Sequence, residues 1–272
     1  MTGPLLAEEM GLSRRLLPAP AIPMPGLLIG GTVGLLAVTV LGLVGAGLAQ
    51  EHAAPAERLL APGTLGHPLG TDQLGRDVLA RTLAGFGWSL GVVLPATVIA
   101  GVVGTGLGLA AATNRGWTRA ILQRATETAA GFPFLVLAAP VIAVAGRGYW
   151  PLLIVLALLS SAPFSLAVFE ATWGGRGRLP VAPILLGVRA ALPVVGAFIV
   201  ADLVVTEACL SFLGAGAPAA APSWGNMLAD ARKNVTVAPW ILYTPAAAIL
   251  LTVLSANWFG EGLGQLWRSR TH

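Results

Sequence analysis

The sequence predicts an all-α integral membrane fold of about six transmembrane helices, and three observations predict it. The 272 residues are 56% hydrophobic and only 10% charged, whereas soluble domains carry roughly a quarter charged residues. Mean hydropathy is +0.79. Long uncharged runs recur at near-regular intervals, each able to cross a bilayer core that needs ~20 apolar residues.

The first span is expected at Leu27–Ala49, which holds no charge and carries Gly30, Gly34, Gly42, Gly45 and Gly47. Residues 1–26 precede it as a cytoplasmic segment, and residues 50–87 follow it as an external linker. Five further spans make a core over residues 88–266, at about Trp88–Thr113, Thr128–Ala145, Trp150–Ala171, Leu192–Phe212 and Trp240–Leu263, with a cytoplasmic tail at 267–272. Charged or Gly/Pro-rich stretches bound each of them.

With a cytoplasmic N-terminus, Arg14, Arg15, Arg115, Arg119, Arg124, Arg176, Arg178, Arg189, Arg268 and Arg270 fall inside. Arg58, Arg76, Arg81, Arg147, Arg232 and Lys233 fall outside. The bias follows the positive-inside rule and puts both termini in the cytoplasm. Arg14-Arg15 ahead of an apolar run has the look of a twin-arginine export signal, but the run is too long, and Pro18, Pro20, Pro23 and Pro25 separate it from the arginines.

The net charge of +4 is spread over isolated basic residues rather than a patch with interleaved aromatics, which argues against nucleic acid. Lys233, the single lysine, lacks the glycines of a phosphate loop, so the chain is not its own conventional ATPase. His52, His67 and His272 fall in loops or the tail at spacings that suit neither a metal nor a Ser-His pair. No catalytic residue, metal ligand or bound cofactor is expected on this chain. Cys209 reads as a small packed residue, and Asn234-Val235-Thr236 as a chance match to the glycosylation pattern. Gly104 and Gly108 permit close helix approach. Pro95, Pro133, Pro140, Pro163 and Pro245 bend their spans, either shaping a cavity or being accommodated by neighbouring helices.

Two segments carry more information. In His67-Pro68-Leu69-Gly70-Thr71-Asp72-Gln73-Leu74-Gly75-Arg76-Asp77-Val78-Leu79-Ala80-Arg81, Thr71 suits an N-cap and Leu74, Val78, Leu79, Leu83 and Phe86 recur at helical spacing. That pattern predicts a short amphipathic helix at the outer interface, with Asp72, Arg76, Asp77 and Arg81 off the apolar stripe. The second segment runs from Glu207 through Leu210-Ser211-Phe212-Leu213-Gly214-Ala215-Gly216 to Pro222-Ser223-Trp224-Gly225-Asn226-Met227-Leu228. It predicts an outer loop with a short helix near Ser223–Ala231, and puts Trp224 and Trp240 at headgroup level.

These two stretches resemble the signatures of the C-type permease subunit of dipeptide, oligopeptide and nickel ABC importers, and the resemblance extends over roughly Pro62 to Leu266. It implies a type I ABC importer permease fold in a bacterial inner membrane. It implies a second related permease, two ATPases that bind ATP and Mg, and an external solute-binding protein as partners. It implies alternating access, with small peptides as cargo and nickel or a metal chelate as the alternative.

One departure stands out. The family's E-A-A-x-x-x-G loop ends in a pattern that Leu192-Pro193 matches, but Gly174 stands at its glutamate and Pro180 at its glycine. The inner loop from Thr172 to Ala191 is short, and Pro180 and Pro183 limit regular helix there. Gly174, Arg176, Gly177, Arg178 and Pro193 are the residues that would contact an ATPase, or else fix topology alone.

Asp202 interrupts the apolar run Ala197–Val205, where an ionisable group costs at least ~2.5 kcal/mol without a partner or cavity. It is expected to face the interior, toward a neighbouring helix, the partner permease or a cationic cargo. Glu170 and Glu207, nearer span ends, are expected to reach water. An ion-coupled carrier would show inverted repeats and more intramembrane polar groups, and no convincing repeat is present; a non-transporting scaffold is the remaining alternative.

Overall fold

A computed structural model describes residues 24–47, 54–64, 66–173 and 181–270. The helices are α1 (Met24–Gly47), α2 (Val78–Thr113), α3 (Gly116–Gly131), α4 (Phe134–Ala145), α5 (Tyr149–Leu159), α6 (Ser161–Trp173), α7 (Val181–Phe212), α8 (Trp224–Ala231) and α9 (Trp240–Arg270). A single 3-10 turn occupies Pro55–Glu57. Among the described residues there is no strand, and the chain is all-α.

Among the described residues, five segments are long and apolar enough to cross a membrane, at Pro25–Val44, Val78–Thr113, Tyr149–Thr172, Ala191–Phe212 and Trp240–Ser269; α3 and α4 together make a sixth only if they are one bent span. The sequence reads this third span as one helix over Thr128–Ala145. Instead α3 and α4 meet at 94°. Pro133 has no N–H to offer the Ala129 carbonyl and disfavours helical backbone at Phe132, so the ladder stops at Gly131.

Packing follows small residues. A Cβ on Gly31 or Gly34 of α1 would strike Phe259 or Ser255 of α9, and one on Gly104 or Gly108 of α2 would strike the Ser161 or Ser165 carbonyl of α6. The expected Gly104–Gly108 approach is therefore to α6. Between these helices the core includes Val92, Val93, Leu152, Leu156, Phe164, Leu203, Val204, Leu210 and Ile241. In lipid such van der Waals fit, not apolar burial from water, holds helices together.

Three further expectations need correction. No separate interfacial helix precedes the second span: residues 78–86 are the first turns of α2, which starts ten residues before Trp88. The side chain of Asp77, not Thr71, caps it by accepting the Ala80 N–H at 2.8 Å. The loop before α7 is also shorter than expected, since α7 is helical from Val181. Pro183 lies in its first turn, where a missing N–H costs nothing.

Candidate functional site

Both motif segments fold onto one end of the bundle, where α2 starts and α7 finishes. The glycines of the first segment make this possible. Gly70 and Gly75 have φ of +74° and +77°, and a Cβ at either would run into the Leu60 or Ala54 carbonyl. Residues 54–64 and 66–77 therefore coil back on themselves, with Thr71 fully buried. Its hydroxyl donates to the Glu57 carbonyl and accepts the Leu60 N–H at 2.8 Å.

Asp72 organises the loop. Its side chain is 1% exposed, and it accepts the N–H groups of Leu74 and Arg76 at 2.8 and 3.0 Å. It also takes Arg76 Nε and Arg81 Nη1, each at 2.7 Å. Asp230 of α8 lies on the other side, 3.3 Å from Arg81 Nη1 and 3.4 Å from Arg76 Nη2. Burial works against the Asp72 charge, but the two N–H groups and the two guanidiniums outweigh it and hold the carboxyl below its ordinary 3.8. Arg81, 2% exposed, is interior rather than interfacial, because its charge is spent on these two acids.

His67 stands between two more carboxylates. Nδ1 is 2.8 Å from Asp77 Oδ2 and Nε2 is 3.1 Å from Glu57 Oε2. A neutral imidazole has one N–H and can serve only one of them; the imidazolium serves both. The hydrogen bond to Asp77, aided by Glu57, raises the His67 pKa above 6.5.

The second segment locks onto the first. Trp224 is wholly buried, with its indole in the notch left by Gly85, where a Cβ would come within 2.6 Å. Nε1 donates to the Thr82 carbonyl at 3.1 Å, and the ring stands edge-on to Phe86 at 4.6 Å. Trp224 is thus held by a protein pocket that takes both its apolar body and its N–H. The short helix itself is as expected: Ser223 accepts the Asn226 N–H at 3.1 Å, and the Asn226 amide donates to the Pro218 and Ala221 carbonyls at 2.7 and 3.0 Å. Asn234 reaches Gln73 at 2.9 Å and Trp240 Nε1 the Thr71 carbonyl at 3.2 Å.

Glu207 lies below this clasp with 0% exposure, so the expected water access is absent in this subunit. Ser89 of α2 donates to Oε2 at 2.9 Å and Ser211 to Oε1 at 2.8 Å. Ser211 Oγ in turn accepts the Ala217 N–H at 2.9 Å, which pins the turn after α7. The indole N–H of Trp88 is buried beside the same carboxyl without closing a hydrogen bond. Glu170 is exposed on the surface of the chain.

Asp202 contrasts with all of these. It is exposed on the surface of the chain, not turned into its own helical core, and has no hydrogen-bond or ion-pair partner among the described residues. It borders a cavity of about 230 Å³ with Ala129, Ala130 and Phe132 at the α3–α4 bend, and with Ser160 and Pro163 where α5 meets α6. On the same face of α7 lie exposed Phe198 and Val205 and half-buried Cys209, at helical spacing. This face continues into an apolar groove of about 480 Å³ lined by Leu135, Phe212, Leu228 and Ile249 among others.

Of the expected coupling residues, Gly174, Arg176, Gly177 and Arg178 lie outside the described residues. Pro193 is exposed within α7. The structure adds Glu57, His67, Ser89 and Asp230 to the residues legible from sequence. His67 was visible as the first residue of its motif, while Ser89 and Glu207, 118 positions apart, carry no local signal of their pairing.

Comparison with known proteins agrees with this architecture. The profile of the family described as "Binding-protein-dependent transport system inner membrane component" matches residues 104–173. A glutathione transport system permease protein of Pectobacterium atrosepticum is 33% identical over 222 residues, 76% of this chain and 74% of its own length. A Brucella suis biovar 1 protein, provisionally named a peptide permease, is 35% identical over 220 residues, 72% of this chain and 71% of its own. A glutathione transport system permease protein of an Escherichia coli O6:K15:H31 strain is 34% identical over 215 residues, 74% and 71% of the two chains. The chain belongs to this family of binding-protein-dependent transport permeases: a multi-pass inner-membrane subunit that works with ATP-binding and solute-binding partners and is not itself an enzyme.

Proposed function

We propose that this chain forms one half of the translocation path of an ATP-driven importer of small peptides, and that a second homologous permease supplies the other half. The observation that carries the reading is the face of α7 bearing Phe198, Asp202, Val205 and Cys209. Asp202 sits in the middle of the span Ala191–Phe212, on the surface and without a partner among the described residues. Lipid contact there would cost at least ~2.5 kcal/mol, so this face looks onto protein and water. The peptide cargo is supported by the likeness to glutathione permeases, since glutathione is itself a small peptide.

The clasp end, with the loops 54–77 and 213–239, then faces outward to receive cargo from a solute-binding protein. The opposite end, with α6 finishing at Trp173, faces two cytoplasmic ATPases that bind ATP and Mg, and both termini are cytoplasmic. The loop holding Gly174, Arg176, Gly177 and Arg178, ahead of Pro193 on α7, contacts one ATPase through a shortened turn, while the partner permease carries the fuller coupling helix. Deleting Arg176–Arg178 should weaken ATPase stimulation and uptake together; unchanged values would remove the loop from coupling.

Native purification tests the whole reading. The chain should bring down one related permease and two ATP-binding chains, and the complex in proteoliposomes should take up a small peptide only with ATP and binding protein. Isolation without such companions, or uptake that ignores ATP, would overturn it.

A further inference from the structure

The α3–α4 break and Asp202 meet in one place, and both are electronegative. The last turn of any α-helix leaves its carbonyls without intrahelical donors and carries about half a negative charge. In α3 that turn includes Ala129 and Ala130, which line the cavity of about 230 Å³ together with Asp202. Pro133 has no N–H, so it cannot satisfy the Ala129 carbonyl as a continuing helix would. The N-terminus of α4 begins after a 94° turn, so its dipole does not extend that of α3. A surface carboxylate with no partner among the described residues and the negative end of a helix therefore share one small mid-membrane recess.

We infer that this recess is a transient binding site for a positively charged amine, the α-ammonium group of a peptide cargo as it passes. The inference rests on the reading of the α7 face as the translocation path and adds the cargo chemistry that path recognises. The recess has room for such a group, since the side chains of Ala129 and Ala130 are only methyls and the Ser160 hydroxyl is already bonded to the Leu156 carbonyl. The acids of the clasp make no comparable site, because Asp72 is filled by Arg76 and Arg81 and Glu57 and Asp77 by His67. Glu207 is filled by two serines.

Cysteine accessibility in the assembled transporter tests this. Cys209 is the chain's single cysteine; in a Cys209→Ser background, Ala130→Cys is exposed to a cationic ammonium-bearing thiosulfonate or to its anionic sulfonate counterpart. Ala129→Cys serves as a second position, and co-purification of the partner subunits confirms assembly. The cationic reagent should react at least about tenfold faster, Asp202→Asn should bring the ratio close to one, and Asp202→Glu should keep it. A ratio near one before that substitution, or one that Asp202→Asn leaves unchanged, would overturn the amine site while the path reading stands. Preference for the anionic reagent would also overturn it, and would point to a basic side chain of the partner permease on Asp202. If neither cysteine reacts with either reagent with or without ATP, the recess is not on a watered path, and the path reading fails with it.

Discussion

Asp202 and Glu207 are two acids on one helix, five positions apart, and the fold treats them in opposite ways. Glu207 is enclosed and met by hydroxyls from α2 and from one turn further along α7 itself. Asp202 is on the surface, unpaired among the described residues, beside a recess. The difference teaches that an ionisable residue in a span has two meanings. A satisfied one fastens helices together, and an unsatisfied one marks a face whose partner lies outside the chain.

If the clasp end is fastened and the recess is not, substitutions should separate them, and the largest effect should fall on Asp72. Asp72→Ala removes the buried carboxylate 2.7 Å from Arg81 and should cost about 3–5 kcal/mol, the usual penalty for breaking a buried ion pair from one side, read as a fall in thermal unfolding temperature in detergent. Glu207→Ala should come next, at about 1–3 kcal/mol, because the Ser89 hydroxyl is left buried without its acceptor. Glu207→Gln, which retains the carbonyl oxygen, should recover much of that loss.

Asp202→Ala should change stability by no more than about 0.5 kcal/mol, as surface substitutions do, while slowing peptide uptake. A large stability loss there would erase the contrast with Glu207. The smallest effect concerns pH. His67 has a raised pKa in the folded chain, so its contribution is complete below about 6.5 and is lost as pH rises through the folded value. Asp72, with a lowered pKa, contributes above its ordinary 3.8 and loses that contribution as pH falls through the folded value. Thermal scans should show the loss on the alkaline side, and His67→Gln should flatten it without touching the acid limb.

The sequence was most legible where a single segment suffices. Uncharged runs located most of the spans, and the glycines and prolines after Phe212 announced the break before α8, because apolar length and helix breaking are local properties. It misled where a local pattern met tertiary partners. Leu74, Val78 and Leu83 have helical spacing, but Gly70, Gly75 and the buried charge of Asp72 keep residues 70–77 out of the helix, and α2 absorbs the rest. Trp224 reads as an interfacial anchor until Gly85, 139 positions earlier, is seen to make room for it. Asp202 stands out in the sequence as an acid in an apolar run, but the recess beside it is made by α3 breaking at Pro133, which hydropathy does not report.

The unbroken length of α2 has a mechanical consequence. At 36 residues it is a rod of about 54 Å at 1.5 Å per residue, roughly 20 Å longer than the ~30 Å hydrocarbon core. Its first turn is tied to the clasp through Asp77 and Arg81, and its other end is the run into α3. Pivoting such a beam by about 5° at one end swings the other by roughly 5 Å, given that 1.5 Å rise per residue. Pro95 lies within this helix, so a small rocking at either membrane surface is magnified at the opposite one as far as the helix stays stiff across that residue.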